Sequence, residues 1–178
     1  MSVWVALLRA VNVSGVNRLP MDDFRGLLAQ MGLAEVRTYI QSGNAVFRSG
    51  LSGAALGAQI ADAVLARFGF RPPVLMLTSA EMAAALAACP FATEAGDKVH
   101  CFFMERSLPR ATGDFLTSIA APDERFGWRD KVLWLHLPGG MARSKLARRV
   151  MSLPIDVTAR NLKSVAAITA LARKLEGA

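Results

Sequence analysis

Three short stretches gather side chains that recognise polar anions. The first is Arg9 to Leu19, RAVNVSGVNRL, with Arg9, Asn12, Ser14, Gly15, Asn17 and Arg18. The second is Gln41-Ser42-Gly43-Asn44, and the third pairs Gly139 to Lys145, GGMARSK, with Arg160-Asn161. Amides read a hydrogen-bond pattern without carrying charge. Arginine grips phosphate or carboxylate bidentately, and lysine supplies a point charge. Together they suit an anion attached to a polar group. Acid–base chemistry finds less support. His100 and Cys101 are neighbours in a strand and point to opposite faces, so they make no nucleophile–base pair. His136 sits beside Trp134 in an apolar strand and reads as a packed residue. No two carboxylates stand in these stretches, and no histidine or cysteine pair has zinc spacing. A general base is not visible, no catalytic residue is assigned, and neither a metal nor a cofactor is implied.

The elements that must hold these stretches follow from periodicity. Ser2 to Leu8 is fully apolar and reads as a central strand. A helix starts near Pro20, with Asp22 and Asp23 at its positive end, and stops at Gly32. Arg37 to Arg48 alternates at period two on either side of QSGN, a hairpin whose reversal uses the positive φ that Gly and Asn tolerate. Leu56, Ile60, Val64 and Phe68 mark an amphipathic helix, and Val74 to Thr78 a strand. That order is βαββαβ, the ferredoxin-like pattern.

The pattern then repeats. Strands are expected over Val99 to Met104, Glu124 to Trp128, Lys131 to Leu137 and Ile155 to Ala159, with helices over Pro109 to Ala121, Ser144 to Leu153 and Asn161 to Leu175. The fold class is therefore α+β, with two ferredoxin-like subdomains, the second carrying an extra C-terminal helix. Residues 1–78 form the first, 79–96 a helical connector broken at Pro90 and Gly96, and 97–178 the second.

Topology brings the polar stretches together. In a right-handed split βαβ unit the first two strands run parallel, so the loops after them leave the same sheet end. Asn12, Asn17, Gln41, Ser42 and Asn44 should cluster there. Arg143, Ser144, Lys145, Arg160 and Asn161 should cluster likewise in the second half, with Ser144 and Asn161 suited to cap helices. If the halves pack so that the clusters meet, amides line one wall of a cleft and cations the other. The same residues also have plain uses as turns, caps and surface charges.

These blocks resemble a known family. ALLRAVNVSGVNRLPM, VRTYIQSGNAVF, GGMARSKL and TARNLKSV look like the signature blocks of the bacterial "domain of unknown function 1697" family, in order and spacing, over essentially the whole chain. The resemblance implies two ferredoxin-like halves and a set of motif positions, without a mechanism. By motif match these are Arg9, Asn12, Gly15 and Asn17, then Gln41, Ser42, Gly43 and Asn44, and later Arg143, Ser144, Lys145, Arg160 and Asn161. Two departures stand out: Ala10 occupies a position where the family usually has glycine, and Leu162 one where tryptophan is usual.

Charge and composition bound the rest. Of 178 residues, 53% are hydrophobic and 20% charged, which fits a globular chain with a substantial core. No apolar run is long enough for a bilayer, the start SVWVALL lacks a basic lead-in, and only Cys89 and Cys101 could form a disulfide. The expectation is a cytoplasmic protein, off the membrane, with both thiols reduced. The net charge is +7, and the segment 143–174, with eight basic residues against Asp156 alone, carries an excess of the same size. Three function classes follow: a binder of an anionic, phosphate- or nucleotide-like small molecule; an RNA or DNA binder, using the basic segment and Trp4 and Phe47 on the first sheet; and a homodimer or protein-interaction module.

Overall fold

The computed structural model describes residues 1–177. Its elements in chain order are β1 (Ser2–Leu8), α1 (Met21–Gln30), β2 (Ala34–Tyr39), β3 (Asn44–Ser49), α2 (Gly53–Phe68), β4 (Val74–Thr78) and α3 (Ser79–Ala87). There follow β5 (Val99–Met104), α4 (Arg110–Ile119), β6 (Arg125–Arg129), β7 (Val132–His136), a 3₁₀ turn (Met141–Arg143), α5 (Lys145–Met151), β8 (Val157–Asn161) and α6 (Leu162–Glu176). The strands make two antiparallel sheets, ordered β2-β3-β1-β4 and β6-β7-β5-β8. Each is ferredoxin-like, and the expected α+β class with a closing C-terminal helix is the observed one.

The chain divides into two units. The first comprises residues 1–84 together with α6 from Ala166 onward, and the second residues 85–165. In the first, the inward strand positions Ala6, Leu8, Ala45 and Phe47 pack under Phe24 and Leu28 of α1 and Leu56, Ile60 and Val64 of α2. Alternation at period two meets the helical period of 3.6, so one face of each element enters the core. Arg48, on the opposite face of β3, donates to the Leu175 carbonyl of α6 and pairs with Glu35 at 2.7 Å. In the second unit, Phe102, Met104, Leu133 and Leu135 pack against Leu116 of α4 and Leu146 and Val150 of α5.

Trp4 and Phe47 both belong to the helix-side core of the first unit, Phe47 fully buried. Neither of these two rings is displayed for base stacking on the other face of the sheet. The connector is well anchored at its start. Thr78 and Glu81 form a reciprocal capping box, Glu81 N donating to Thr78 Oγ1 at 3.1 Å and Thr78 N to Glu81 Oε2 at 2.7 Å. Within the second unit, Trp134 Nε1 donates to the Ala85 carbonyl at 3.0 Å.

Two strand boundaries differ from expectation. β8 lies two residues later than 155–159, because its ladder with β5 runs from Val157 opposite Met104 to Asn161 opposite His100. Leu153 instead continues the turn after α5, bonding to the Val150 carbonyl. Arg160 and Asn161 are therefore the end of a strand, not the loop beyond it. Asn44 likewise starts β3, opposite Tyr39, so the reversal is the four residues 40–43.

Candidate functional site

The long loop after β1 is itself a miniature hairpin. Asn12 N donates to the Asn17 carbonyl at 3.1 Å and Val16 N to the Val13 carbonyl at 2.9 Å. Ser14 and Gly15 between them hold φ of 50° and 78°, the double positive φ of a mirror-image turn. Asn17 Nδ2 closes the base of the loop on the Ala10 carbonyl at 2.9 Å. Asn12 braces it from inside: its Oδ1 accepts from Leu19 N at 2.7 Å and its Nδ2 donates to the Leu19 carbonyl at 2.8 Å.

Parallel β1 and β2 bring the second polar stretch alongside. Asn12 Nδ2 also donates to the Gln41 carbonyl at 2.9 Å, and Leu8 N donates to the Gly43 carbonyl at 2.9 Å. Gly43 is at φ 72°, and a Cβ there would stand 2.6 Å from Val11 Cγ2 and 2.8 Å from Leu8 Cβ. Only glycine fits so close to β1. Asn44 is fully buried, with Nδ2 on the Tyr39 carbonyl at 3.0 Å. The other positive φ in the reversal belongs to Ile40, at 44°, a β-branched residue half exposed. Ser42 is half-buried, and Arg9 N joins the Pro73 carbonyl at 3.0 Å.

So the amides of Asn12, Asn17 and Asn44 hold backbone. What they shape is a depression of about 290 Å³ lined by Asn12, Arg18, Pro20, Met21, Asp22 and Gln41. It opens at the start of α1, where Pro20 offers no capping side chain and the first intrahelical bond is Phe24 N to the Pro20 carbonyl. The early N–H groups of that helix and its dipole favour negative charge. Asp22, paired with Arg25 at 2.9 Å, adds an acceptor on the same rim. Arg18 lies outside the matched motif positions; its place in the loop is visible in the sequence, but nothing there shows that it meets the helix start beside Pro20 and Met21.

In the second unit, β7 and β8 run parallel on either side of β5, so the 139–145 segment and the end of β8 leave one end of the sheet. Ser144 Oγ caps α5, accepting from Ala147 N at 2.9 Å, and Asn161 Oδ1 caps α6, accepting from Ser164 N at 2.8 Å. Arg160 is buried, its Nη1 donating to Thr158 Oγ1 at 2.9 Å and the Ala159 carbonyl at 2.8 Å. Burial lowers its pKa to about 10. Arg143 and Lys145 are exposed. Leu162, where the family resemblance expects an indole, is a buried packing residue.

One polar cluster was not legible. Glu94 of the connector pairs with Arg125 of β6, whose Nη2 lies 3.1 Å from His136 Nδ1. His136 Nε2 is 3.6 Å from Glu94 Oε2, and the Phe91 ring lies 6.0 Å from the imidazole and under the Arg125 guanidinium. Nδ1 accepts from Arg125, which leaves the proton on Nε2, toward Glu94. The hydrogen bond from Arg125 holds the Glu94 carboxyl below its usual range. His136 is thus packed, as expected, but inside an ion-pair network.

The comparisons agree with this architecture. The sequence pattern of the family described as "Protein of unknown function (DUF1697)" matches residues 1–134. Among solved structures, the conserved bacterial protein SP0830 from Streptococcus pneumoniae is similar with a TM-score of 0.74 at 22% identity, over 96% of this chain and 98% of that one. No curated protein matches the chain at a significant level. At that identity the structural likeness speaks for the fold.

Proposed function

The chain belongs to the DUF1697 family of proteins of unknown function, and we propose that its first unit binds a small, anion-bearing polar molecule in the depression at the start of α1. The observation that carries this is the convergence of the exposed Arg18 guanidinium, the Gln41 segment and the uncapped helix start on one concavity of about 290 Å³. Arg18 and the helix N–H groups take the anion, and the Gln41 side chain reads the polar part. Asn12, Asn17, Gly43 and Asn44 act by shaping the walls, while Arg9 and Ser42 border the loops. Such a volume is at the small end for ligand sites, so a phosphorylated metabolite or mononucleotide fits better than a dinucleotide. The cytoplasm is the setting we infer, since Cys89 and Cys101 are both free thiols. No helix among the described residues is long and apolar enough to cross a membrane.

A thermal-shift series with inorganic phosphate, adenosine monophosphate, glucose 6-phosphate and uncharged adenosine tests the reading. A phosphorylated probe at about a hundredfold over its dissociation constant stabilises the native state by about 2.7 kcal/mol. Arg18→Gln should remove that shift and adenosine should give none. A shift that persists in Arg18→Gln, or none with any phosphorylated probe, rejects the site.

A second reading, an interaction module, has its own observation. Val13, Val16 and Ile40, exposed by 58%, 62% and 50%, sit on the two loops that Asn12 ties together. Serine at all three positions should abolish concentration-dependent association in sedimentation; association unchanged by them, or none in the wild type, removes this reading.

A further inference from the structure

We propose that the outer face of α4 and α5 is a docking surface for single-stranded nucleic acid. It is separate from the depression in the first unit and does not depend on it. α5 buries Leu146, Ala147 and Val150, which turns Lys145, Arg148 and Arg149 outward, with Arg143 exposed just before them. From 143 to 149 there are four cations and no acid. Arg148 and Arg149 lie in the last turn of the helix, where the dipole favours them. Arg143 and Lys145 do not share that excuse. They flank the positive end of α5, whose first turn holds no acidic residue, so the dipole opposes them and helix stability does not account for their placement.

The aromatic partner is Phe115 of α4, left 42% exposed. It is held outward because Gly113 and Leu116 face inward; a Cβ at Gly113 would stand 2.3 Å from the Trp128 ring. The Arg149 guanidinium lies over the Phe115 ring at 5.1 Å from its centre. An exposed aromatic beside a row of cations offers a base a stacking surface and its phosphates a track. Lys145 to Arg149 rise about 6 Å along the helix, a span over which adjacent phosphates of an extended strand can be met. An exposed ring can stack on unpaired bases, which a duplex does not present, so the surface suits a single strand. Charge complementarity selects the occupant: one exposed ring is too little apolar surface for a lipid bilayer.

The test is fluorescence anisotropy of the intact protein with a labelled oligothymidylate of about twelve nucleotides, across a salt series. Binding should weaken with salt. Replacing Arg143, Lys145, Arg148 and Arg149 together by Gln should make the slope of log affinity against log salt shallower by about three, at about 0.7 per lost phosphate contact. Phe115→Ala should lower affinity at least about fivefold and leave the slope alone. Arg67→Gln, a single charge on α2, serves as the control and should change neither. Circular dichroism of each variant confirms folding, and single Lys145→Gln and Arg148→Gln variants, each shallower by less than one, stand in if the quadruple variant does not fold. The proposal is overturned if the wild type does not bind at low salt, if the charge variants keep the full slope, or if polyglutamate competes as well as the oligonucleotide, which would make the partner an acidic protein.

Discussion

Asn12 and Gln41, 29 positions apart, are joined through one amide: Asn12 Nδ2 donates to the Gln41 carbonyl at 2.9 Å while the same side chain brackets Leu19. The loop after β1 and the reversal after β2 are thereby one construction, tied at the centre of their shared sheet end.

Replacing Asn12 by Ala removes three side-chain hydrogen bonds, each worth about 1 kcal/mol net. It also leaves a non-glycine, non-asparagine residue at φ 55°. Chemical denaturation should show a loss of roughly 2–4 kcal/mol. Asn12→Asp keeps the acceptor toward Leu19 N and should lose less. Equal losses for both variants would mean that the bond accepted from Leu19 N carries no weight.

Two positions on these loops should respond to small changes in opposite directions. Gly43→Ala places a methyl 2.6 Å from Val11 Cγ2 at a φ of 72° and should cost at least about 2 kcal/mol. Ala10 is already at φ 55°, a conformation that glycine adopts more readily. Ala10→Gly relieves that strain and should gain up to about 1 kcal/mol, the relief being offset in part by glycine's freedom in the unfolded chain. Urea midpoints measured side by side decide it; destabilisation at Ala10 would show the strain to be negligible.

How far the sequence reveals this protein depends on what each signal measures. Ser2–Leu8, Gly53–Phe68 and the repeated βαββ order could be read directly, because apolar period reports burial. The end of β8 could not. Thr158, Ala159 and Arg160 follow β5 in a ladder that no local pattern encodes, and a buried arginine looks like a loop residue in sequence. The grouping of Asn12 with Gln41 was legible from topology alone. Their division of labour was not: an amide that holds backbone and one that faces a ligand are the same letter. Glu94 was invisible for a similar reason, since it lies in a segment without periodicity and meets Arg125, 31 residues on, only in the fold.

That pair gives a pH signature. The Arg125 hydrogen bond depresses the folded-state pKa of Glu94 below its ordinary value of 4.5. A depressed carboxylate contributes stability that is present above the ordinary value and is lost as pH falls through the folded one. Wild type should therefore exceed Glu94→Gln in thermal midpoint near neutrality, and the gap should close in acid and shrink in high salt. A gap constant from about pH 3 to 7 would assign the effect to packing instead of charge.

Cys101 gives the opposite limb. It is fully buried, and burial pushes its thiol well above the ordinary value of 9.0; Cys89 is shifted the same way. Because the folded pKa is raised, the neutral thiol's contribution is fully present below the unfolded pKa and declines as pH rises past it, when only the unfolded chain ionises. One pH unit above that value amounts to roughly 1 kcal/mol. Arg160 acts in reverse but higher up: its pKa, lowered to about 10 from 12.5, adds stability only as pH climbs through that interval. The clean window is thus about pH 8.5 to 10, where wild type should lose stability faster than Cys101→Ala. Thiol labelling is the companion measurement. Neither buried cysteine should react quickly in the native protein, and two should react in denaturant without reductant. Rapid native labelling of Cys101, or an alkaline decline that Cys101→Ala leaves unchanged, would show that this thiol is not sealed in the second sheet.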